Sequence, residues 1–258
     1  MFKNAQDLAV IRSPAALRKH LVFIRAGAGQ PWPFGSRFAG EARGYDIAVS
    51  YFDEPDFESK LYMCADFVLA GGLSKFHAAK KFFEAYPCLD RYGYVFFVDD
   101  DLEFEFSVDE FIAFCERETL SLAQPCLTAD SFHTFRITLH HPGLLYRVTT
   151  YVETMCPVFE ASHLASVIDV FDRSLSTYGL DVFWSRALRQ DQRAAILDCF
   201  QMRHTRPITN EGKFYQYLAS IGVNRWQELR DMMLWMGLKE YSIRVTAFIT
   251  LDDVIAIT

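Results

Sequence analysis

The pattern of apolar and polar positions predicts an α/β chain. Four short apolar runs rich in Val, Ile, Phe and Tyr are typical of buried strands, and they cover 21–25, 45–52, 94–98 and 194–198. Helical patterns with capping residues or 3.6-residue periodicity alternate with them, over 74–86, 107–122, 161–176 and 224–236. Strands that alternate with helices predict a mostly parallel central sheet flanked by helices.

Weaker patterns complete the predicted element order. Residues 1–20 are expected to form a short helix, 123–127 an edge strand, and 151–159 a strand interrupted by a polar Glu153. From about 211 the composition changes, and an alternating strand follows over 243–250. We therefore expect a main domain over 1–210 and a small α/β C-terminal extension over 211–258 that packs on it or forms a homodimer contact.

The run Tyr94–Val98 leads directly into three acids, Asp99, Asp100 and Asp101. A buried parallel strand places such residues at its carboxyl end, the edge of an open α/β sheet where ligands bind. Neighbouring carboxylates repel one another unless a cation lies among them, and their hard oxygens favour Mg²⁺ or Mn²⁺. The sequence therefore predicts a metal-bridged phosphate site, with a solvated acidic turn as the alternative.

Composition narrows the classes of protein. The chain has 258 residues, of which 51% are hydrophobic, so a sizeable core is available. The net charge of −7 argues against nucleic-acid binding, which needs a basic face. Six cysteines without a C-x-x-C pair indicate free thiols in a reducing, cytoplasmic compartment. No stretch is apolar enough to span a bilayer, and peripheral membrane contact stays open.

Polar residues near other element ends are candidates for ligand contacts. Arg25 leaves the first strand before a Gly-containing loop and would face a nucleotide or pair with an acid. Asp53 follows the second strand, where an acid binds a ribose or forms a turn before Pro. Lys75 lies in the first turn of a helix, where anions are favoured, and is a candidate phosphate contact. His141 is a candidate for lining the substrate pocket, as is Glu153 because apolar residues flank it.

Two residues further along the chain give little indication of function when each is considered alone. Asp181 follows Gly179 at a helix start, where capping is its ordinary role. His204 comes six residues after Asp198, and a lone His is more often packed than a ligand.

These pieces together resemble nucleotide-sugar glycosyltransferases with the GT-A (Rossmann-like) fold, whose D-x-D motif is similar to Asp99–Asp101. A closer resemblance is to a largely uncharacterised plant and bacterial family with a W-D-E-D-L signature. The similar blocks are Asp99–Leu102, Val152–Phe159, Tyr178–Asp181 and Asp198–His204, within residues 45–206. This chain has Val98 where that family has Trp.

The resemblance implies roles for five residues. Asp99 would contact the nucleotide ribose or the water shell of the metal, and Asp101 would bind Mn²⁺ or Mg²⁺ directly. His204 would complete the metal site. Asp181 would act as the base of an inverting reaction, and Glu153 would hold hydroxyls of the donor sugar or the acceptor.

The resemblance thus implies a metal-dependent glycosyltransferase of glycan or polysaccharide synthesis. It would move a sugar, with inversion, from a UDP-linked donor to a hydroxyl acceptor. Two alternative interpretations are a sugar nucleotidyltransferase and a carbohydrate-binding module without turnover. In the first, Arg25 and Gly27 would belong to a minimal version of a Gly-rich, basic nucleotide-binding loop.

Overall fold

The computed structural model describes residues 7–27, 42–207, 213–250 and 252, so part of the predicted loop 26–29 lies outside the described residues. The strands are β1 Leu8–Arg12, β2 His20–Ala26, β3 Tyr45–Tyr51, β4 Phe67–Gly71, β5 Tyr94–Asp99, β6 Leu102–Glu103, β7 Leu122–Leu127, β8 Leu144–Thr149, β9 Val158–Glu160, β10 Ala194–His204 and β11 Val245–Thr250. The helices are α1 Lys60–Cys64, α2 Lys75–Ala85, α3 Val108–Arg117, α4 Ala161–Val167, α5 Leu180–Arg186, α6 Lys213–Ser220 and α7 Arg225–Trp235.

One large sheet organises the described residues and confirms the predicted α/β class. Its strand order is β1-β4-β3-β2-β5-β9-β7-β10-β8-β11, and β6 pairs with β10 outside this path. Parallel pairing joins β4, β3, β2 and β5, and it also joins β7 to β10. The short antiparallel strand β9 lies between these two groups, so the strand ends of both groups point to the same edge.

The apolar runs fill two core layers, one on each face of the sheet. In β5, Phe96 and Val98 belong to one layer, whereas Val95 and Phe97 belong to the other. This alternation explains why the strand is apolar at every position up to Asp99, since both faces are covered. Trp184 of α5 lies in the second layer, fully buried against Phe76, and fixes the helix that carries Asp181.

Two predictions about the edges of the sheet are wrong. Residues 8–12 form strand β1 rather than a helix, because they pair antiparallel with β4 along its outer edge. The strand predicted as an edge, 123–127, is the interior strand β7, with β9 on one side and β10 on the other. Neither pairing is visible in the local sequence, because each depends on which distant strand offers its hydrogen-bonding edge.

The segment 151–159 is also shorter as a strand than predicted. Only Val158–Glu160 forms β9, while 151–157 is irregular and crosses the carboxyl edge of the sheet. The helix predicted over 161–176 ends at Val167 and continues as a single 3₁₀ turn, Ile168–Val170. The irregular segment matters because it carries Tyr151 and Glu153 to the site.

The C-terminal residues lie against the rest of the chain. Strand β11 pairs antiparallel with β8 and continues the main sheet. Helix α7, capped by the Asn224 side chain, packs over the start of α5, where Gly179 has a φ of +86°. A Cβ at Gly179 would lie 2.8 Å from the Met232 Cβ, so this close approach requires glycine.

A buried ion pair supports the opposite half of the sheet and gives a stability prediction. Arg147 donates to both carboxylate oxygens of the fully buried Asp198, over 2.8 and 2.9 Å. Arg147→Met leaves that carboxylate buried without its cation, so we expect the free energy of unfolding to fall by about 3–5 kcal/mol. The exposed pair Arg189–Asp191 supplies the control, since Arg189→Met should cost less than about 1 kcal/mol. Urea unfolding of both variants measures the difference, and equal losses would contradict the assignment.

Candidate functional site

The predicted acids lie at the carboxyl edge of the sheet. Strand β5 ends at Asp99, which is in register with Arg25 at the end of β2. Asp100 and Asp101 form the turn into β6, whose Leu102 pairs with His204 at the end of β10. The elements that end here therefore bring residues about a hundred positions apart in sequence to one edge.

Asp101 and His204 form a close pair of candidate metal ligands. The His204 Nε2 lies 3.3 Å from the Asp101 Oδ2, and both side chains are largely buried. Burial lowers the pKa of His204, but the hydrogen bond and charge of Asp101 outweigh it, so that pKa is raised. Burial likewise favours protonated Asp101, but the bond to His204 dominates and lowers the pKa of Asp101.

The surroundings of this pair fit a divalent cation. The His204 Nδ1 lies 2.8 Å from the Phe132 carbonyl oxygen, which it can reach as a donor, so that Nε2 faces Asp101. The Asp101 Oδ1 is buried and has no hydrogen-bond partner within the described part of the chain. An unpaired buried carboxylate oxygen is costly and calls for a ligand. A carboxylate oxygen suits Mn²⁺ or Mg²⁺ and an imidazole nitrogen suits transition metals, so the pair fits Mn²⁺ better than Mg²⁺.

In a second cluster of possible metal ligands, one member is already engaged in an ion pair. Cys126, His140 and Asp198 bring ligand atoms within 4.8 Å of one another. However, Arg147 occupies both oxygens of Asp198, and burial strongly raises the pKa of the Cys126 thiol. Both Asp198 oxygens are thus occupied, whereas the Asp101 Oδ1 has no hydrogen-bond partner in the described residues, so the Asp101–His204 pair is the better metal site.

Asp99 and Lys75 form an ion pair beside Asp101. The Lys75 Nζ donates to the Asp99 Oδ1 over 2.6 Å, and to the carbonyl oxygens of Thr154 and Met155 over 2.6 and 3.0 Å. These contacts use the three hydrogens of the ammonium group, so Lys75 joins the irregular segment to the end of β5. Burial raises the pKa of Asp99 to about 6, against the opposing charge of Lys75.

Asp100 connects two loops at the same edge. Its Oδ2 accepts a hydrogen bond from the Gly27 N–H over 3.1 Å, and its Oδ1 pairs with Arg206. The Arg206 Nε also lies 3.4 Å from the Asp101 Oδ2. Arg206 is therefore a basic member of the site that the sequence analysis missed, although its position two residues after His204 was a usable signal.

Arg25 reinforces the strand ends. Its guanidinium donates to the Ser50 Oγ and to the carbonyl oxygens of Gly71 and Gly72, over 2.5–2.7 Å. Burial lowers the pKa of Arg25 to about 10, while the charges of Asp53 and Asp100 oppose this shift. Asp53 is exposed just beyond β3, on the same edge.

Glu153 lies within electrostatic reach of both Asp181 and His204. It is only 7% exposed, and its Oε2 is buried without a hydrogen-bond partner in the described residues. Its backbone N–H donates to the Gln124 Oε1 over 2.6 Å, which fixes the irregular segment on β7. Burial, with the charges of Asp181 and Asp99, raises the pKa of Glu153 to about 8. Near pH 7 this carboxyl is therefore protonated and able to donate a hydrogen bond.

Asp181 lies in the first turn of α5, and Gly179 rather than Asp181 is the N-cap residue. The Tyr151 hydroxyl donates to the Asp181 Oδ2 over 2.5 Å, and the Val182 N–H donates to the Oδ1 over 2.9 Å. Burial raises the pKa of Asp181 to about 6, although these hydrogen bonds oppose the shift. Burial thus raises the pKa values of both Asp181 and Glu153, and it raises that of Glu153 further, so Asp181 is the more readily ionised of the two.

His141 is not joined to this group. It is exposed, its backbone N–H donates to the Asp198 Oδ1 over 2.8 Å, and its Nδ1 lies 3.2 Å from the Pro142 carbonyl oxygen. Its contacts therefore belong to the Arg147–Asp198 ion pair. Tyr151, which contacts Asp181, was missed because the sequence offers no local signal for a bond across 30 residues.

The layout of sheet and helices is that of the GT-A fold. GalNAc-T7, solved with UDP, GalNAc and Mn²⁺, matches with a TM-score of 0.50 and 10% identity, over 83% of this chain and 50% of that chain. S. aureus TarS matches with a TM-score of 0.47 and 10% identity, over 84% of this chain and 43% of that chain. A197 from STIV matches with a TM-score of 0.44 and 10% identity, over 73% of this chain and 86% of that chain. This chain thus spans half or less of the GalNAc-T7 and TarS chains, and at such low identity the likeness concerns the fold alone.

The sequence comparisons add one family. The model described as "Protein of unknown function (DUF707)" matches residues 44–146, which include the Asp99–Leu102 block but not the later blocks. No curated protein matches the sequence. In the described residues, every helix is too short or too polar to cross a bilayer.

Proposed function

We propose that the chain is a metal-dependent glycosyltransferase that moves a sugar from a UDP-linked donor to a hydroxyl of a glycan. The observation that carries the proposal is the unpaired, buried Asp101 Oδ1 beside His204, at the ligand-binding edge of a GT-A fold. The solved structure of GalNAc-T7 with UDP and Mn²⁺ supports the choice of donor and ion by fold analogy.

On the donor side, Asp101 and His204 would hold Mn²⁺ or Mg²⁺, and Asp99 would bind the ribose or the water shell of the ion. Such an ion acts as a Lewis acid that stabilises negative charge on a leaving diphosphate. Asp100, Asp53, Arg25 and Lys75 would shape the nucleotide pocket, with Lys75 holding Asp99 in place.

On the acceptor side, Asp181 would act as the catalytic base. The acceptor oxygen forms a bond to the anomeric carbon as the bond from that carbon to the diphosphate oxygen breaks. The acceptor proton passes to the Asp181 carboxylate, and attack from the opposite face inverts the anomeric centre. General-base assistance of this kind typically contributes about 10²–10⁴-fold. Protonated Glu153 would donate a hydrogen bond to a sugar hydroxyl.

The proposal also assigns roles to the two parts of the chain and a compartment to the protein. We propose that residues 1–210 bind the donor and carry out the chemistry, with 211–258 as an extension packed on them. All six cysteines are free thiols, which supports a reducing cytoplasmic compartment. A homodimer contact through the extension and a substrate-lining role for His141 stay predictions.

A thermal-shift screen of nucleotide sugars with Mn²⁺ or EDTA tests the proposal. A ligand at about 100 times its Kd stabilises the native state by about 2.7 kcal/mol, which raises the Tm of a chain this size by about 5–10 °C. We expect a UDP-sugar to give this shift with Mn²⁺ and to lose most of it in EDTA. The donor found should then release UDP when a glycan is added.

The control for this screen is Asp90→Asn, an exposed acid at the opposite end of β5, which should behave as the wild type. Release of pyrophosphate from UTP and a sugar phosphate would instead identify a nucleotidyltransferase. Donor binding without transfer to any glycan would favour a carbohydrate-binding module without turnover.

A further inference from the structure

A hollow opens between helices α6 and α7, in the C-terminal extension. Its volume is about 210 Å³, which is below the ~300 Å³ at which pockets for drug-sized ligands begin and suits a single sugar ring. Its lining consists of Tyr215, Leu218, Val223, Asn224, Arg225 and Trp226.

Aromatic rings and one guanidinium dominate this hollow. Trp226 is 52% exposed, and its ring meets the Tyr178 ring edge to face at 5.4 Å. The Arg225 guanidinium lies 4.2 Å from the centre of the Tyr215 ring. Burial raises the pKa of the Tyr215 hydroxyl, and Tyr178 and Arg225 both lie close enough to act on it, so these three side chains form one group. The hollow thus presents flat apolar faces with polar groups beside them.

The hollow adjoins the proposed base through Tyr178. Tyr178 contacts Trp226 and Tyr215, and it precedes Asp181 by three residues at the start of α5. Tyr241 of the extension lies within electrostatic reach of both Asp181 and Tyr178. At its other side, α6 carries Tyr217 within electrostatic reach of Arg25 at the donor edge. Helix α6 therefore extends from the donor side of the site to the hollow.

We infer that this hollow binds a sugar residue of a carbohydrate acceptor, next to the residue whose hydroxyl reaches Asp181; the inference rests on the proposed transferase function. A sugar ring has an apolar face of C–H groups that packs on an aromatic ring, and a rim of hydroxyls that need donors and acceptors. Trp226 supplies the face, and the Arg225 guanidinium and the Asn224 Nδ2 supply the polar contacts, since the Asn224 Oδ1 caps α7. The acceptor class is then an oligosaccharide or polysaccharide rather than a lone small alcohol.

Binding of defined oligosaccharides to the full chain tests this inference without relying on turnover. The probes are cello-, xylo-, manno- and N-acetylchito-tetraose, together with a printed glycan array, and the measurement is isothermal titration of whichever tetraose or array glycan binds best. We expect Trp226→Ala to weaken that binding about tenfold, since it removes one stacking face. Leu234→Ala is the matched control, because Leu234 is 74% exposed on the same helix but outside the hollow.

The outcomes separate this inference from the proposed function. Loss of glycan binding in Trp226→Ala, with unchanged Mn²⁺-dependent UDP-sugar binding and wild-type behaviour of Leu234→Ala, supports the hollow as an acceptor subsite. A wild-type protein that binds no glycan, or a Trp226→Ala variant that binds as well as the wild type, overturns it. If instead no UDP-sugar binds, the proposed donor chemistry fails while the glycan measurement still decides the hollow. A Trp226→Ala variant with a lowered Tm is replaced by Trp226→Phe, which keeps a smaller face and should bind at an intermediate strength.

Discussion

Asp181→Asn is expected to slow sugar transfer by about 10²–10⁴-fold while UDP-sugar binding stays close to that of the wild type. The amide keeps the shape of the side chain and can still accept the Tyr151 hydroxyl bond. It cannot take a proton from the acceptor. Single-turnover transfer measures the rate, and titration with UDP-sugar in Mn²⁺ measures the binding.

The pH dependence of the wild-type enzyme supplies an independent check on Asp181. Because burial raises the pKa of Asp181 to about 6, the base is ionised at pH 7 and becomes protonated as the pH falls through 6. The transfer rate should therefore fall on the acid side of that value, and this limb should be absent from the residual activity of Asp181→Asn. Transfer at the wild-type rate by the variant would remove Asp181 from the mechanism.

Asp101→Asn is expected to abolish the Mn²⁺-dependent part of donor binding. A neutral amide is a much weaker ligand than a carboxylate, and it leaves His204 as the remaining strong ligand of the Asp101–His204 pair. Loss of residues that merely support metal ligands commonly costs about 10–100-fold, so loss of a ligand should cost at least about 100-fold in metal-dependent affinity. The thermal shift given by UDP-sugar should then be the same in Mn²⁺ and in EDTA.

This loss must be distinguished from general damage to the fold. The backbone oxygen of Asp101 accepts hydrogen bonds from the Thr205 N–H and the Thr205 Oγ over 3.0 and 2.9 Å, and these do not depend on the carboxylate. Because Asp101→Asn also loses the ion pair with His204, its Tm without ligand should fall below that of Asp90→Asn, and the Mn²⁺-dependent shift is measured against each variant's own unliganded Tm. An Asp101→Asn variant that keeps a full Mn²⁺-dependent shift would place the ion elsewhere.

Local pattern was sufficient to predict the centre of the fold. Strand β5 and its terminal acids follow from an apolar run that stops at Asp99, because a strand covered on both faces must be apolar throughout. The helix start at Ser107 follows in the same way, since its hydroxyl accepts the Glu110 N–H. Such features depend on neighbours in sequence and are therefore visible there.

Features that depend on distant pairing were not predictable in this way. Strand β1 was predicted as a helix because five apolar and basic residues suit either structure until the outer edge of β4 is known. The long β10 strand was predicted only to Asp198, because a bulge between Leu197 and Gln201 interrupts its pattern before His204. The contact of Tyr151 with Asp181 depends on an irregular segment whose course is set by Lys75 and Gln124.

The central claim is that one divalent ion binds at Asp101 and His204, and anomalous scattering from crystals soaked in Mn²⁺ and UDP tests it most directly. The account predicts a single strong peak within bonding distance of the Asp101 Oδ1 and the His204 Nε2, absent from Asp101→Asn crystals. A map without a peak at that pair, or with the ion at Cys126, His140 and Asp198 instead, would contradict it.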